Sequence, residues 1–225
     1  MKNIGSKSEL AIVLSKLEGF DDPNVRQEQY TTDSEIGASV IWNAYLLGDI
    51  GGKVIADLGC GTGVLGIGAL LLGAKKVFFV DLDKKALETV KKNLSKLESE
   101  SLPCKGAFEL VNRDIRGVTV KAEVVLQNPP FGTKVKHQDT VFLEKALETA
   151  QIVYSFHKSE SKAFLERFSG QKNAKMTHAW RFMFPLKATF SFHRRQIHRI
   201  DVTCFRFEKI GDLSSTMMQK QNQGA

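Results

Sequence analysis

Asn128, Pro129, Pro130 and Phe131 follow directly on the run Ala122-Glu123-Val124-Val125-Leu126. A strand that meets two prolines must stop, because proline lacks the ladder N–H and restricts the residue before it. The sequence therefore predicts Asn128 at a strand's carboxyl end, the edge of an open α/β sheet where ligands bind. An amide, backbone carbonyls and an aromatic ring at that edge suit a planar substrate that carries an NH2 group. The amide oxygen of Asn128 and the carbonyl of Pro129 can each accept one of its protons, while Phe131 stacks on the ring face. A proline-capped strand end with a core Phe would leave the same trace.

A second group of residues surrounds a glycine-rich turn, Asp57-Leu58-Gly59-Cys60-Gly61-Thr62-Gly63. Glycines at a strand-to-helix turn allow the backbone to approach a ligand closely. Gly61, Gly63 and Gly66 also fit a dinucleotide fingerprint, but the carboxylate of Asp57 would repel a pyrophosphate and suits a cationic ligand better. S-adenosylmethionine (SAM) is such a ligand, with an ammonium, a sulfonium and no phosphate. Asp81 closes the next strand about 20 residues on, placed to take both ribose hydroxyls. Asp114 follows the third strand, placed to accept from an adenine amine, with Ile115 beside it. Each carboxylate alone would pass for a solvated strand end; three at successive strand ends, with Asn128 at the fourth, form a site.

The elements that must hold these residues are legible in the surrounding pattern. A short amphipathic helix is predicted over residues 8–17, broken by Asp21-Asp22-Pro23-Asn24, and a second from Asp33 to Leu47 with Thr32 or Asp33 as its cap. Strands are expected at Val54–Leu58, Lys76–Val80, Phe108–Val111 and Ala122–Gln127, with helices at Val64–Leu72 and Lys84–Leu97. Beyond a polar loop come a helix at Phe142–Ala150, a short strand at Ile152–Tyr154 and a helix at Ser159–Phe168 capped by Ser159. Two final strands, Ala179–Pro185 and Arg199–Phe207, are expected as an antiparallel pair at one edge. This alternation predicts an α/β fold: a Rossmann-like, mainly parallel seven-stranded sheet with an antiparallel C-terminal strand and helices on both faces. A single domain over residues 1–210 is expected, with a helical extension over about 1–47 and a disordered tail over 211–225.

Composition agrees with a soluble domain: 225 residues, 42% hydrophobic, with no apolar run long enough to span a membrane and no signal peptide, so a cytoplasmic protein is expected. Nuclear or nucleolar placement would fit a eukaryotic source. Cys60, Cys104 and Cys204 are odd in number and widely spaced, which points to free thiols and to neither a disulfide framework nor a zinc site. Net charge is +7, and residues 151–225 hold 13 Lys and Arg against 5 Asp and Glu, whereas residues 1–150 hold 19 against 20. In the basic part, Phe190 to Arg195 with His198-Arg199 interleaves bases and aromatics, as an RNA-binding surface would. A solubilising face would look alike. Lys134 and Lys136 beyond the Asn-Pro-Pro-Phe turn could hold phosphates or belong to a solvated loop, and His157 could face the substrate or serve structure.

With these motifs the chain resembles class I SAM-dependent methyltransferases, and within them the methyltransferase-like protein five family with its archaeal relatives. The similar stretches are Leu17 to Phe20, Glu28-Gln29-Tyr30 with Thr32, Ala56 to Gly63, Asn128 to Lys134, Phe142-Leu143, Ala146 to Glu148 and Val153 to Lys158. The resemblance covers roughly residues 8–208. It implies methylation of adenosine N6 in small-subunit ribosomal RNA, with Asn128, Pro129, Pro130 and Phe131 as the catalytic turn. It further implies SAM contacts from Gln29, Thr32, Gly59, Thr62, Val64, Asp81, Asp114 and Ile115, to which the residue pattern adds Asp57 and Gly61. RNA contacts are expected from Lys134, Lys136, Arg194 and Arg195. Also implied is a partner, the small zinc-binding activator subunit, which adds a strand to an exposed sheet edge. Two positions depart from the family: Thr62 replaces a Cys of the mammalian proteins, and Thr31 replaces a Pro. Guanine-N2 and protein-glutamine methyltransferases use similar turns, and a silent RNA-binding scaffold would keep the fold.

Overall fold

The computed structural model describes residues 4–20, 31–102, 104, 106–130, 138–186 and 198–211. Their order is α1 (Lys7–Leu14), α2 (Ser34–Leu46), β1 (Val54–Leu58), α3 (Val64–Leu71), β2 (Lys76–Asp81), α4 (Lys84–Ser99) and β3 (Ala107–Asn112). Then follow β4 (Val124–Gln127), α5 (Gln138–Thr149), β5 (Ile152–Lys158), α6 (Lys162–Gln171), β6 (Ala174–Leu186) and β7 (His198–Lys209). The strands form one sheet in the order β3-β2-β1-β4-β5-β7-β6. β1 to β5 run parallel, and β7 pairs antiparallel with both β5 and β6.

Apolar side chains on both faces explain the layers. One face is covered by α1 to α4 through Leu10, Ile41, Leu65 and Val90, and the other by α5 and its neighbours through Leu143, Leu147 and Leu165. The direction of chain progression reverses between β1 and its neighbour β4, so a crevice opens beyond their carboxyl ends. The glycine turn leaves β1 and Asn128 leaves β4, which sets both sequence motifs on that crevice.

Several elements differ from their sequence-based bounds. α1 stops at Leu14 and not at residue 17. β5 runs on to Lys158 because β7 pairs with it from Ile152↔Glu208 to Lys158↔Val202. β6 begins at Ala174, since the same β7 supports it along its length. Ser159 does not cap α6: it opens a short 3-10 turn, and its Oγ instead donates to Asp201 Oδ1 (2.6 Å) and meets Thr203 Oγ1 (2.7 Å). α5 starts at Gln138, earlier than the apolar spacing shows. Of the tail expected over 211–225, residues 212–225 lie outside the described residues.

Candidate active site

The glycine turn is built around two carboxylates. Gly59, Gly61 and Gly63 have φ of +67°, +52° and +88°, the left-handed region that favours glycine. Gly61 N–H donates to Asp81 Oδ2 (2.8 Å), and Asp83 N–H to Asp81 Oδ1 (2.9 Å). Gly66 lies in the first turn of α3, where a Cβ would sit 2.4 Å from the Phe79 ring; without one, its N–H reaches Asp57 Oδ2 at 2.8 Å. A carboxylate at a helix N-terminus meets the positive end of the helix dipole.

That dipole does not compensate for burial. Asp57 is 2% exposed, and desolvation pushes its carboxyl up to about 7, with the Gly66 amide opposing and the charge of Asp81 adding to the rise. Burial raises Asp81 as well, against hydrogen bonds from the amides of Asp83 and Gly61. Among the described residues no Lys or Arg forms an ion pair with either carboxylate. The turn thus presents concentrated negative character and lacks the cations a pyrophosphate would need, which fits a cationic cofactor.

The segment before β1 closes the crevice from the other side. Asn93, fully buried on α4, receives Glu18 N–H at Oδ1 (2.8 Å) and donates from Nδ2 to the carbonyls of Glu18 and Thr62 (both 3.1 Å). It ties the N-terminal segment to the glycine turn, where a Cβ on Gly61 would come within 3.0 Å of the Phe20 ring. Thr32, just before α2, accepts Asn128 Nδ2 at 3.1 Å. Asn128 Oδ1 is buried and has no hydrogen-bond partner among the described residues, and the same holds for Thr62 Oγ1. A buried acceptor without a partner costs free energy unless a ligand supplies the donor.

The structure therefore brings Thr32, Asp57, Gly59, Gly61, Thr62, Val64, Asp81 and Asn128 to one sheet edge, with Pro129 and Pro130 following Asn128. Val64 is buried in the first turn of α3. Asp114 caps a 3-10 turn after β3, its Oδ1 accepting Arg116 N–H (2.8 Å), while Ile115 is buried against the α5 side of the sheet. Gln29, Phe131, Lys134, Lys136, Arg194 and Arg195 lie outside the described residues.

Three features escape the sequence pattern. Leu82, between Asp81 and Asp83, is 60% exposed, an open apolar surface at the strand end where a base could rest. Asn93 sits on a Lys-rich helix whose composition suggests a solvated face. His157 is fully buried within a polar chain: Gln127 Nε2 donates to Ser155 Oγ (2.8 Å), which lies 2.7 Å from His157 Nε2.

Comparison with known proteins agrees with this geometry. A family profile described as conserved hypothetical protein 95 matches residues 39–179. An uncharacterized protein from Methanocaldococcus jannaschii is 35% identical over 210 residues, covering 91% of this chain and 95% of its own. The rRNA N(6)-adenosine-methyltransferase METTL5 of Danio rerio is 32% identical over 206 residues, covering 88% and 97%. A crystal structure of a candidate RNA methyltransferase from Pyrococcus horikoshii is similar with a TM-score of 0.81 at 44% identity, covering 92% and 99%.

Proposed function

This chain belongs to the methyltransferase family of those relatives, and from that premise we propose that it methylates the N6 amine of adenosine in ribosomal RNA, using SAM. Small-subunit RNA is the expected target. The observation that carries the proposal is the Asn128 amide: its Nδ2 is committed to Thr32, and its buried Oδ1 is left to accept.

SAM supplies an electrophilic methyl group on a sulfonium, which becomes a thioether when the C–S bond breaks. Asp81 would take the ribose hydroxyls, Leu82 the adenine face, and the carboxylate of Asp57 the cationic end. An adenine amine is a poor nucleophile because its lone pair is delocalised into the ring. Asn128 Oδ1 and the Pro129 carbonyl accept its protons, localise the pair and aim it at the methyl carbon. Positioning and fixed dipoles then supply most of the rate. Asn128 is no base, so the amine proton leaves for water after the N–C bond has formed. The target base must leave its stack, at a cost of about a few kcal/mol, which favours unpaired RNA. Phe131 receives that base in this mechanism, and Lys134, Lys136, Arg194 and Arg195 hold neighbouring phosphates.

The proposal includes the zinc-binding activator subunit as partner. A sheet edge supports it: β3 pairs only with β2 among the described residues and leaves Phe108 45% exposed.

The test is tritiated-methyl transfer to ribosomal RNA from a strain lacking this protein, with and without the partner, followed by nucleoside analysis. Label in N6-methyladenosine is expected. Label in N2-methylguanosine, or in protein glutamine when ribosomal protein is supplied, overturns the assignment.

A further inference from the structure

Behind the Asn128 turn runs a polar chain that the mechanism above does not use. Gln127 is the last residue of β4, and the β4–β5 register sets it opposite Ser155. His157 lies two residues on and so faces the same side of the sheet, against α5. Gln127, Ser155 and His157 are all 0% exposed. The links are Gln127 Nε2 to Ser155 Oγ at 2.8 Å, Ser155 Oγ to His157 Nε2 at 2.7 Å, and His157 Nδ1 to Asp139 Oδ2 at 3.5 Å.

The donors run in one direction. Ser155 Oγ accepts from Gln127 and keeps its own proton to give to His157 Nε2; with that nitrogen as the acceptor, the ring proton is on Nδ1 and faces the Asp139 carboxylate, the tautomer the clamp requires. The hydrogen bond from His157 in turn holds Asp139 below the ordinary carboxylate range, against its partial burial. The two ends of this chain are informative. Gln127 is the residue before Asn128, and Asp139 is in the first turn of α5, the next described element after the Asn128 turn. Three apolar side chains would fill this buried space without the desolvation cost of polar ones.

We propose that Gln127, Ser155, His157 and Asp139 are positioning residues that clamp both ends of the catalytic segment and thereby hold the Asn128 amide in line for methyl transfer. This rests on the assignment of Asn128 as the acceptor of the substrate amine. The clamp acts on the turn and not on the cofactor, so its loss should slow transfer while leaving SAM binding intact.

The experiment compares single-turnover methyl transfer and SAM calorimetry for wild type, His157→Gln, His157→Phe and Asp139→Asn. His157→Gln keeps a polar group toward Ser155 and severs the link to Asp139, whereas His157→Phe removes both links at similar volume. Transfer should fall about tenfold in His157→Gln and further in His157→Phe, with SAM affinity within about twofold of wild type. In an Asn128→Ala background, His157→Gln should change the residual rate by less than about twofold, because its effect passes through Asn128. Equal slowing in both backgrounds, a parallel loss of SAM affinity, or wild-type rates in all three variants would overturn the clamp. Imidazole 15N NMR gives a readout independent of turnover: a proton on Nδ1 of His157 is expected, and one on Nε2 contradicts the donor sequence. If wild type labels a nucleotide other than adenosine, the proposed function fails, while the His157 comparison on the product that does form still decides the clamp.

Discussion

Two buried aspartates at opposite ends of the parallel strands behave as opposites. Asp49 lies in the connection leading to β1, where Oδ2 accepts from Tyr154 Oη (2.5 Å) and Arg206 Nε (2.8 Å). Arg206 is itself satisfied by Thr177 Oγ1 (2.8 Å) and Glu208 Oε2 (3.0 Å), and Trp180 stacks on Tyr154 with centroids 5.9 Å apart. Burial, reinforced by Asp49, pushes the Tyr154 phenol well above its ordinary value, so it remains a donor. Asp57, near the other end of β1, has one backbone N–H, a second carboxylate nearby and, among the described residues, no cation paired with it. The residue type is shared and both are buried. At Asp49 the protein completes the compensation itself; at Asp57, in our proposal, a ligand supplies it. The second arrangement is costly in the free protein, which is why it marks function and not packing.

Removing the partner of the compensated carboxylate should have the largest effect. Arg206→Met strands the Asp49 charge, and the expected loss is about 3–5 kcal/mol of folding stability. Urea unfolding checks this, with SAM affinity of the folded variant unchanged; a loss under about 1 kcal/mol would make the cluster a minor feature.

Asp57→Asn should act in the opposite direction on stability. The folded carboxyl titrates at about 7, above its value of about 3.9 in an unfolded chain. Between those values the folded state holds a proton that the unfolded state releases, so stability is greatest at low pH and falls as pH rises toward 7. Asparagine removes that loss and can still accept the Gly66 N–H. We expect the variant to gain on the order of 2–4 kcal/mol at pH 8 and little at pH 4, while its SAM affinity falls about tenfold or more. Wild-type affinity for SAM should itself rise with pH through neutrality, as the carboxylate becomes available to the cation. Chemical unfolding at both pH values and calorimetry across pH 6 to 8 are the checks; destabilisation at pH 8 would place Asp57 with Asp49 as a structural group.

Thr32→Val tests the smallest step. It removes the acceptor of Asn128 Nδ2 at nearly constant volume and should slow transfer about fivefold, the worth of one hydrogen bond near 1 kcal/mol. An unchanged single-turnover rate would mean that the amide is oriented by something other than Thr32.

Much of the site was legible in the sequence, for reasons that belong to backbone chemistry. Prolines ended β4 and so fixed Asn128 at an edge, and glycines with a preceding acid marked the turn after β1. Side chains whose role depends on a distant strand were not legible. Ser155 and His157 fall beyond the strand expected at Ile152–Tyr154, where His157 could face the substrate or serve structure; the pairing with β7 carries β5 on through both, and the fold buries them. Asn93 reads as surface on α4, since its partners Glu18 and Thr62 are 75 and 31 residues away. Leu82 reads as a turn residue between two aspartates until its exposure is known.

The central claim is that the Asn128 amide oxygen, without a hydrogen-bond partner among the described residues, is what receives the substrate amine. Its most direct test is the single-turnover rate of methyl transfer to ribosomal RNA by Asn128→Ala at saturating SAM. We expect a fall of about 10²- to 10³-fold, the typical consequence of removing a preorganised polar group from a transition state, with SAM affinity retained. A rate within about threefold of wild type would contradict the account.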